Sequence, residues 1–162
     1  MISFPVHYFF LAIILVYIPF HIFEEALGDF PESMYQHKWI PERITHGHWM
    51  ANNIFFYFPT LVTGYLLWTI FPNYLFIGLG ILVWGVINTF DHIFYTIKDR
   101  KISPGLYTGS LYLLIAINGF YSIRTEANYI LLIESIITGM IYFFFPVFCS
   151  MTFHKHFKTI FK

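Results

Sequence analysis

The sequence predicts an all-α fold: a polytopic bundle of about five transmembrane helices forming one domain over residues 1–162. Three observations predict it. Of 162 residues, 57% are hydrophobic and only 11% charged, against roughly 25% charged in an average soluble domain. Long uncharged runs each approach the ~20 residues a helix needs to cross hydrocarbon. The runs are continuous and lack period-two alternation, which argues against a β-barrel.

The expected spans fall at about residues 4–23, 51–71, 74–97, 105–121 and 129–150. Pro72-Asn73 is a tight link, so the second and third spans form a hairpin. Ser103-Pro104-Gly105 reads as a helix start, with Ser103 as N-cap and Pro104 at the first helical position. Pro19, Pro59 and Pro146 interrupt spans one, two and five, and each frees a backbone carbonyl one turn earlier.

The basic residues set the expected orientation. Lys38, Arg43, Lys98, Arg100, Lys101, Lys155, Lys158 and Lys162 share one side of a five-span chain, and Arg124 stands alone on the other. That bias places the N-terminus outside and the C-terminus in the cytoplasm, in a multi-pass protein of a bacterial inner or plasma membrane. Residues 1–7 carry no Lys or Arg, so the first run reads as a retained span rather than a cleavable signal. The single cysteine, Cys149, excludes an intramolecular disulfide and a multi-cysteine metal site. A net charge of zero argues against nucleic acid as a partner. The lipid bilayer is the expected partner, and an oligomer stays open.

Loop residues 24–50 are too polar to span. Pro31–Trp39 and Pro41–Met50 each suit a short interfacial helix, with Met34, Tyr35, Trp39, Ile40 and Trp49 facing lipid. A loop of this length is often a lid or part of a site.

Chemistry concentrates at one level. Ionisable groups at membrane depth are costly and by default mark a site. His21, Glu24 and Glu25 share one face of the first helix, with His21 and Glu25 about 40° apart around its axis. Asn88, Asp91, His92 and Tyr95 share one face of the third span. Both clusters lie within about two turns of the expected cytoplasmic boundary, at ~1.5 Å per residue. Asn52 and Asn53 open the second span at that level, just after His46 and His48. Imidazole and carboxylate together suit zinc or non-haem iron, with three protein ligands and an open position. His21, Glu25 and His92 are the expected ligands. Glu24 and Asp91 are the expected catalytic carboxylates, with Glu24 moving the proton. Asn52, Asn88, His46 and His48 are candidates for substrate contacts or for orienting the ligands.

Plainer readings stand beside these. The two glutamates also suit solvated residues at the membrane exit, and Asp91 with His92 suits an interhelical hydrogen bond. His46-Gly47-His48 is metal-capable but sits on a wet loop. His154 and His156 fit a basic tail near anionic lipid.

The segment His21-Ile22-Phe23-Glu24-Glu25, followed by Phe30 and Pro31, resembles the HXXEE family of small bacterial membrane proteins. Asn88-Thr89-Phe90-Asp91-His92 and the stretch from Lys98 through Ser103-Pro104-Gly105-Leu106 resemble that family's second histidine segment and its turn. The resemblance covers about residues 21–106. It implies a shared site at His21, Glu24, Glu25 and His92 without naming a reaction.

The expected function is a membrane-embedded, metal-dependent enzyme acting on a lipid or amphipathic molecule at the cytoplasmic face, with hydrolytic and redox chemistry both open. Two alternatives remain: a metal-free proton-shuttle isomerase, and a small proton-coupled carrier or structural subunit.

Overall fold

The computed structural model describes residues 5–40 and 42–160, with side chains for all of these except 154–158. Phe4, Pro41, Lys162 and the side chains of His154, Lys155, His156 and Lys158, which entered the expectations above, lie outside that description. Among the described residues the fold is helical throughout, with no strand. The helices are α1 (His7–Leu27), α2 (Phe30–Gln36), α3 (His46–Ile70), α4 (Leu75–Asp99), α5 (Leu106–Ser122) and α6 (Tyr129–Ile160).

By length and composition, α1, α3, α4 and α6 can each cross a membrane. Their outer faces stay apolar: Leu15, Phe20, Ile70, Ile133 and Phe144 are all exposed. A helix that is hydrophobic all round needs a lipid or protein environment on every side. At 17 residues, α5 is shorter, about 26 Å long at ~1.5 Å per residue.

The centre of the bundle is α4, where Leu79, Ile81, Leu82 and Trp84 are shut off from solvent. Its glycines let neighbours in close: Gly78 meets Phe10 of α1, and Gly80 meets Thr138 and Tyr142 of α6. Small residues serve helix pairs in this way where no hydrophobic drive separates lipid from protein. Long helices alternate in direction along the chain. Leu82 packs on Gly119 and Thr89 on Gly109, so α5 runs antiparallel to α4. Tyr17 meets Trp84 and His21 meets His92, so α1 runs parallel to it.

Two wide π turns interrupt the helices near prolines, Tyr17–His21 around Pro19 and Asn53–Tyr57 just before Pro59. Proline lacks the N–H and crowds the carbonyl one turn back. A π turn absorbs that conflict within the helix, and such turns recur at functional sites. Here the two turns are tied together: the Tyr17 hydroxyl donates to Asn53 Oδ1, and Asn53 Nδ2 donates to the Trp49 carbonyl.

Several sequence expectations change. The first helix continues past residue 23 to Leu27, α4 reaches Asp99, and α6 runs on past residue 150. Of the two expected interfacial helices, only the first forms, as α2; His46 to Met50 is instead the start of α3. Trp49 faces inward and is 3% exposed rather than lipid-facing. The first residue before α5 is Gly105, and Ser103 does not cap the helix. The cap comes from elsewhere in the chain.

Candidate metal centre

His21 closes the π turn of α1, and Glu25 follows one α-helical turn later on the same face. His92 reaches the same point from α4. His21 Nε2 lies 3.4 Å from Glu25 Oε1, and His92 Nε2 lies 3.6 Å from the same oxygen. All three donor atoms fall within 4.8 Å of one another. Both histidines are 1% exposed and Glu25 is 4% exposed. Neither Nε2 has a hydrogen-bond partner among the described residues. Leaving two buried imidazole nitrogens unsatisfied is expensive.

A hydroxyl holds the far side of each ring. His21 Nδ1 lies 2.7 Å from the Thr108 hydroxyl oxygen. That hydroxyl has one proton and gives it to Glu24 Oε2 at 2.6 Å, the charge-assisted acceptor. The hydroxyl therefore receives the Nδ1 proton of His21, which leaves Nε2 bare. At the second histidine, Nδ1 lies 3.2 Å from Ser103 Oγ. Ser103 Oγ also lies 3.5 Å from the Pro104 carbonyl, and it holds the His92 ring from behind. An outer partner on Nδ1 is how proteins aim a ligating Nε2.

Glu24 points to the other neighbour. Its Oε1 accepts from the backbone N–H groups of Gly105 and Tyr107 at 3.1 and 3.0 Å, and its Oε2 accepts from Thr108 N–H at 2.8 Å. These are the unpaired donors that open α5, so a carboxylate about eighty residues away in sequence caps that helix. The negative charge also sits at the positive end of the helix dipole. With Glu24 in place, Ser103 is free to serve His92.

Gly105 has φ +94°, a conformation only glycine adopts without strain. A Cβ there would stand 2.5 Å from His92 Cε1 and 3.0 Å from His21 Cε1. The Ser-Pro-Gly turn thus packs directly on both imidazoles. Tyr17, Tyr112 and Phe30 complete the ring contacts around the pair.

One side of the cluster opens on a cavity of about 90 Å³. His21 and Glu25 form its inner end, and Asn52, Asn88 and Asp91 share its wall. Asn52 is buried, while Asn88 and Asp91 are half-buried. The structure thus gathers those three expected residues at the site. His46 and His48 are not brought in: His46 is exposed, 3.4 Å from Asp29, and His48 is buried in the first turn of α3, outside the cavity wall.

Over the cavity lie α2 and the segment after it, contributing Phe30, Met34, His37, Trp39 and Ile40. This cover is fastened to the end of α4. His37 Nε2 meets Asp99 Oδ2 at 2.7 Å, and the Trp39 indole N–H donates to the Tyr95 hydroxyl. Arg43 folds back on α2, donating to the Glu32 carboxylate at 2.8 and 3.1 Å. That pairing holds the Glu32 carboxyl below its usual range and raises the Arg43 guanidinium.

Sequence reasoning missed Thr108, Tyr17 and the orienting role of Ser103. Thr108 stood three residues past a Ser-Pro-Gly turn at matching depth, which was a usable signal. Tyr17 sits one helical turn before His21 on an apolar helix, and nothing marked it.

A family model described as "Protein of unknown function with HXXEE motif" matches residues 12–120. No curated protein and no solved structure matches the chain.

Proposed function

The chain belongs to the HXXEE family, whose function is unknown, and from that premise we propose a membrane-embedded, metal-dependent enzyme acting on a lipid or other amphipathic molecule. One observation carries the reading: two Nε2 atoms without a hydrogen-bond partner among the described residues and a carboxylate oxygen, all buried, converge within 4.8 Å. Donors about 2 Å from a tetrahedral metal stand about 3.3 Å apart, and the two separations from Glu25 Oε1 are 3.4 and 3.6 Å. Two histidines and one carboxylate suit zinc or non-haem iron. When bound, such an ion polarises a carbonyl or phosphoryl oxygen, or makes water a nucleophile at neutral pH.

In this account His21, Glu25 and His92 are the ligands. Thr108 and Ser103 hold the imidazoles in register. Glu24 is a positioning residue, because both its oxygens are engaged by α5. Proton movement then falls to Asp91, the remaining carboxylate on the cavity wall. Asn52 and Asn88 orient the reacting group. Five crossings, counting α5, with a cytoplasmic C-terminus agree with the alternating helix directions and the distribution of basic residues.

The test is turnover of a membrane lipid extract by purified protein, followed by mass spectrometry. Metal-loaded wild type should convert a discrete lipid species. Glu25→Ala should abolish the conversion, and Asp91→Asn should slow it by about 10²- to 10⁴-fold, the range for a lost acid–base group. Conversion that survives exhaustive chelation, or that is unchanged in Glu25→Ala, contradicts the proposal.

A further inference from the structure

We infer that the cavity selects a single-chain amphiphile whose small head donates hydrogen bonds, an alcohol or an amine, over one with an anionic head. This inference rests on the proposed catalytic reading and names its substrate class.

Size comes first. A volume of about 90 Å³ holds roughly half a dozen water-sized groups at about 10–15 Å³ each. That accommodates a small polar head and the first atoms of a chain.

Charge comes second. Among the described residues lining the cavity there is no Lys or Arg, while Glu25 and Asp91 both belong to the wall. A phosphate or carboxylate head finds no basic side chain there to pair with, and loses its hydration on burial. A hydroxyl or ammonium head instead finds acceptors in Asp91 and in the amide groups of Asn52 and Asn88. Oδ1 of each amide is buried without a hydrogen-bond partner among the described residues.

The path of the tail comes third. Phe143, Val147 and Met151 line the cavity at four-residue spacing on one face of α6. Residues so spaced lie one above another along a helix. Phe143 is 8% exposed and Met151 is 65% exposed, so this apolar stripe runs from the interior to the outer surface. It offers a chain an apolar track from the polar chamber to the exposed surface near the C-terminal end of α6. The head then rests beside Glu25 and Asp91 while the tail leaves along α6.

Tryptophan positions supply the readout. Trp39, Trp49 and Trp84 line the cavity, whereas Trp68 packs against His7 and Phe10 elsewhere. In a Trp68→Phe background, every remaining tryptophan reports on the chamber. The probes are chain-brominated undecanol, undecylamine and undecanoate, compared at equal mole fraction in zwitterionic nanodiscs. Saturable quenching by the alcohol and the amine is expected at concentrations at least tenfold below that for the carboxylate. Asp91→Asn should erode the advantage of the amine to less than threefold.

Equal quenching by all three probes, or saturable quenching by the carboxylate at the lowest concentration, overturns the inference. Bound metal measured on the same samples separates the two claims. Head selectivity without metal sinks the metal reading and leaves this one; metal without selectivity does the reverse.

Discussion

Thr108 fixes the His21 ring from behind: its hydroxyl oxygen lies 2.7 Å from Nδ1, and its proton is already committed to Glu24 at 2.6 Å. The hydroxyl therefore passes orientation from a helix cap to a ligand atom. Thr108→Val keeps the shape but cannot accept the Nδ1 proton. It should weaken metal affinity by about 10- to 100-fold, the usual effect of losing such a partner. Thr108→Ser should restore most of it. Competition titration against a chromophoric chelator measures both, and an unchanged affinity in Thr108→Val contradicts the tautomer assignment.

Adjacent glutamates should fail in different ways. Glu24→Ala strips the acceptors from the first turn of α5 and leaves several backbone N–H groups without partners. Each such loss costs about 1–3 kcal/mol where water cannot reach, so a loss of stability on the order of 3 kcal/mol is expected. Glu25→Gln should preserve or raise stability while abolishing metal binding. Thermal unfolding in detergent, with metal content measured in parallel, separates the pair. Equal behaviour of the two variants contradicts the division of roles.

Gly105→Ala tests the turn that rests on both histidines. At φ +94° an alanine costs about 1–2 kcal/mol in backbone strain alone. Its methyl would also stand 2.6 Å from His92 Nε2. Metal binding should fall further than that strain explains, because both rings must move. A variant that loses stability but binds metal normally contradicts the packing described.

The cover over the cavity carries its own pH signature. Arg43 holds the Glu32 carboxyl below its ordinary value of 4.5 by hydrogen bonding. A depressed folded-state pKa adds stability above the unfolded value, and that contribution disappears as pH falls through the folded one. Arg43→Ala should therefore shift the Glu32 titration upward toward 4.5, read by carboxyl carbon NMR. The contribution to stability is small because the pair is exposed and salt-screened. No shift in Arg43→Ala contradicts the contact.

Much of this was legible before any coordinates. Hydropathy located the long helices to within a few residues, except that α6 runs on to Ile160 and that the polar start of α3 read as a separate loop helix. That error has a physical cause: His48, Asn52 and Asn53 lower the hydropathy of the segment, yet all three are buried against protein. Helical spacing put His21 and Glu25 on one face and matched His92 to them in depth. Spacing cannot report which faces meet across a bundle, so the division between Glu24 and Glu25 was hidden. Both residues face inward, and only the position of α5 decides which one caps a helix and which one joins the histidines. Thr108 was marked only by its place after the Ser-Pro-Gly turn, since its importance lies in a partner about eighty residues away.

The most direct test of the central claim is the metal content of protein purified without affinity-resin metals, in wild type, His21→Ala, His92→Ala and His46→Ala. About one zinc or iron per chain is expected in wild type, as a three-ligand site with one open position holds a single ion. It should be lost in His21→Ala and His92→Ala and kept in His46→Ala, whose exposed ring lies outside the cluster. No bound metal after reconstitution, or metal retained in both ligand variants, would contradict the account.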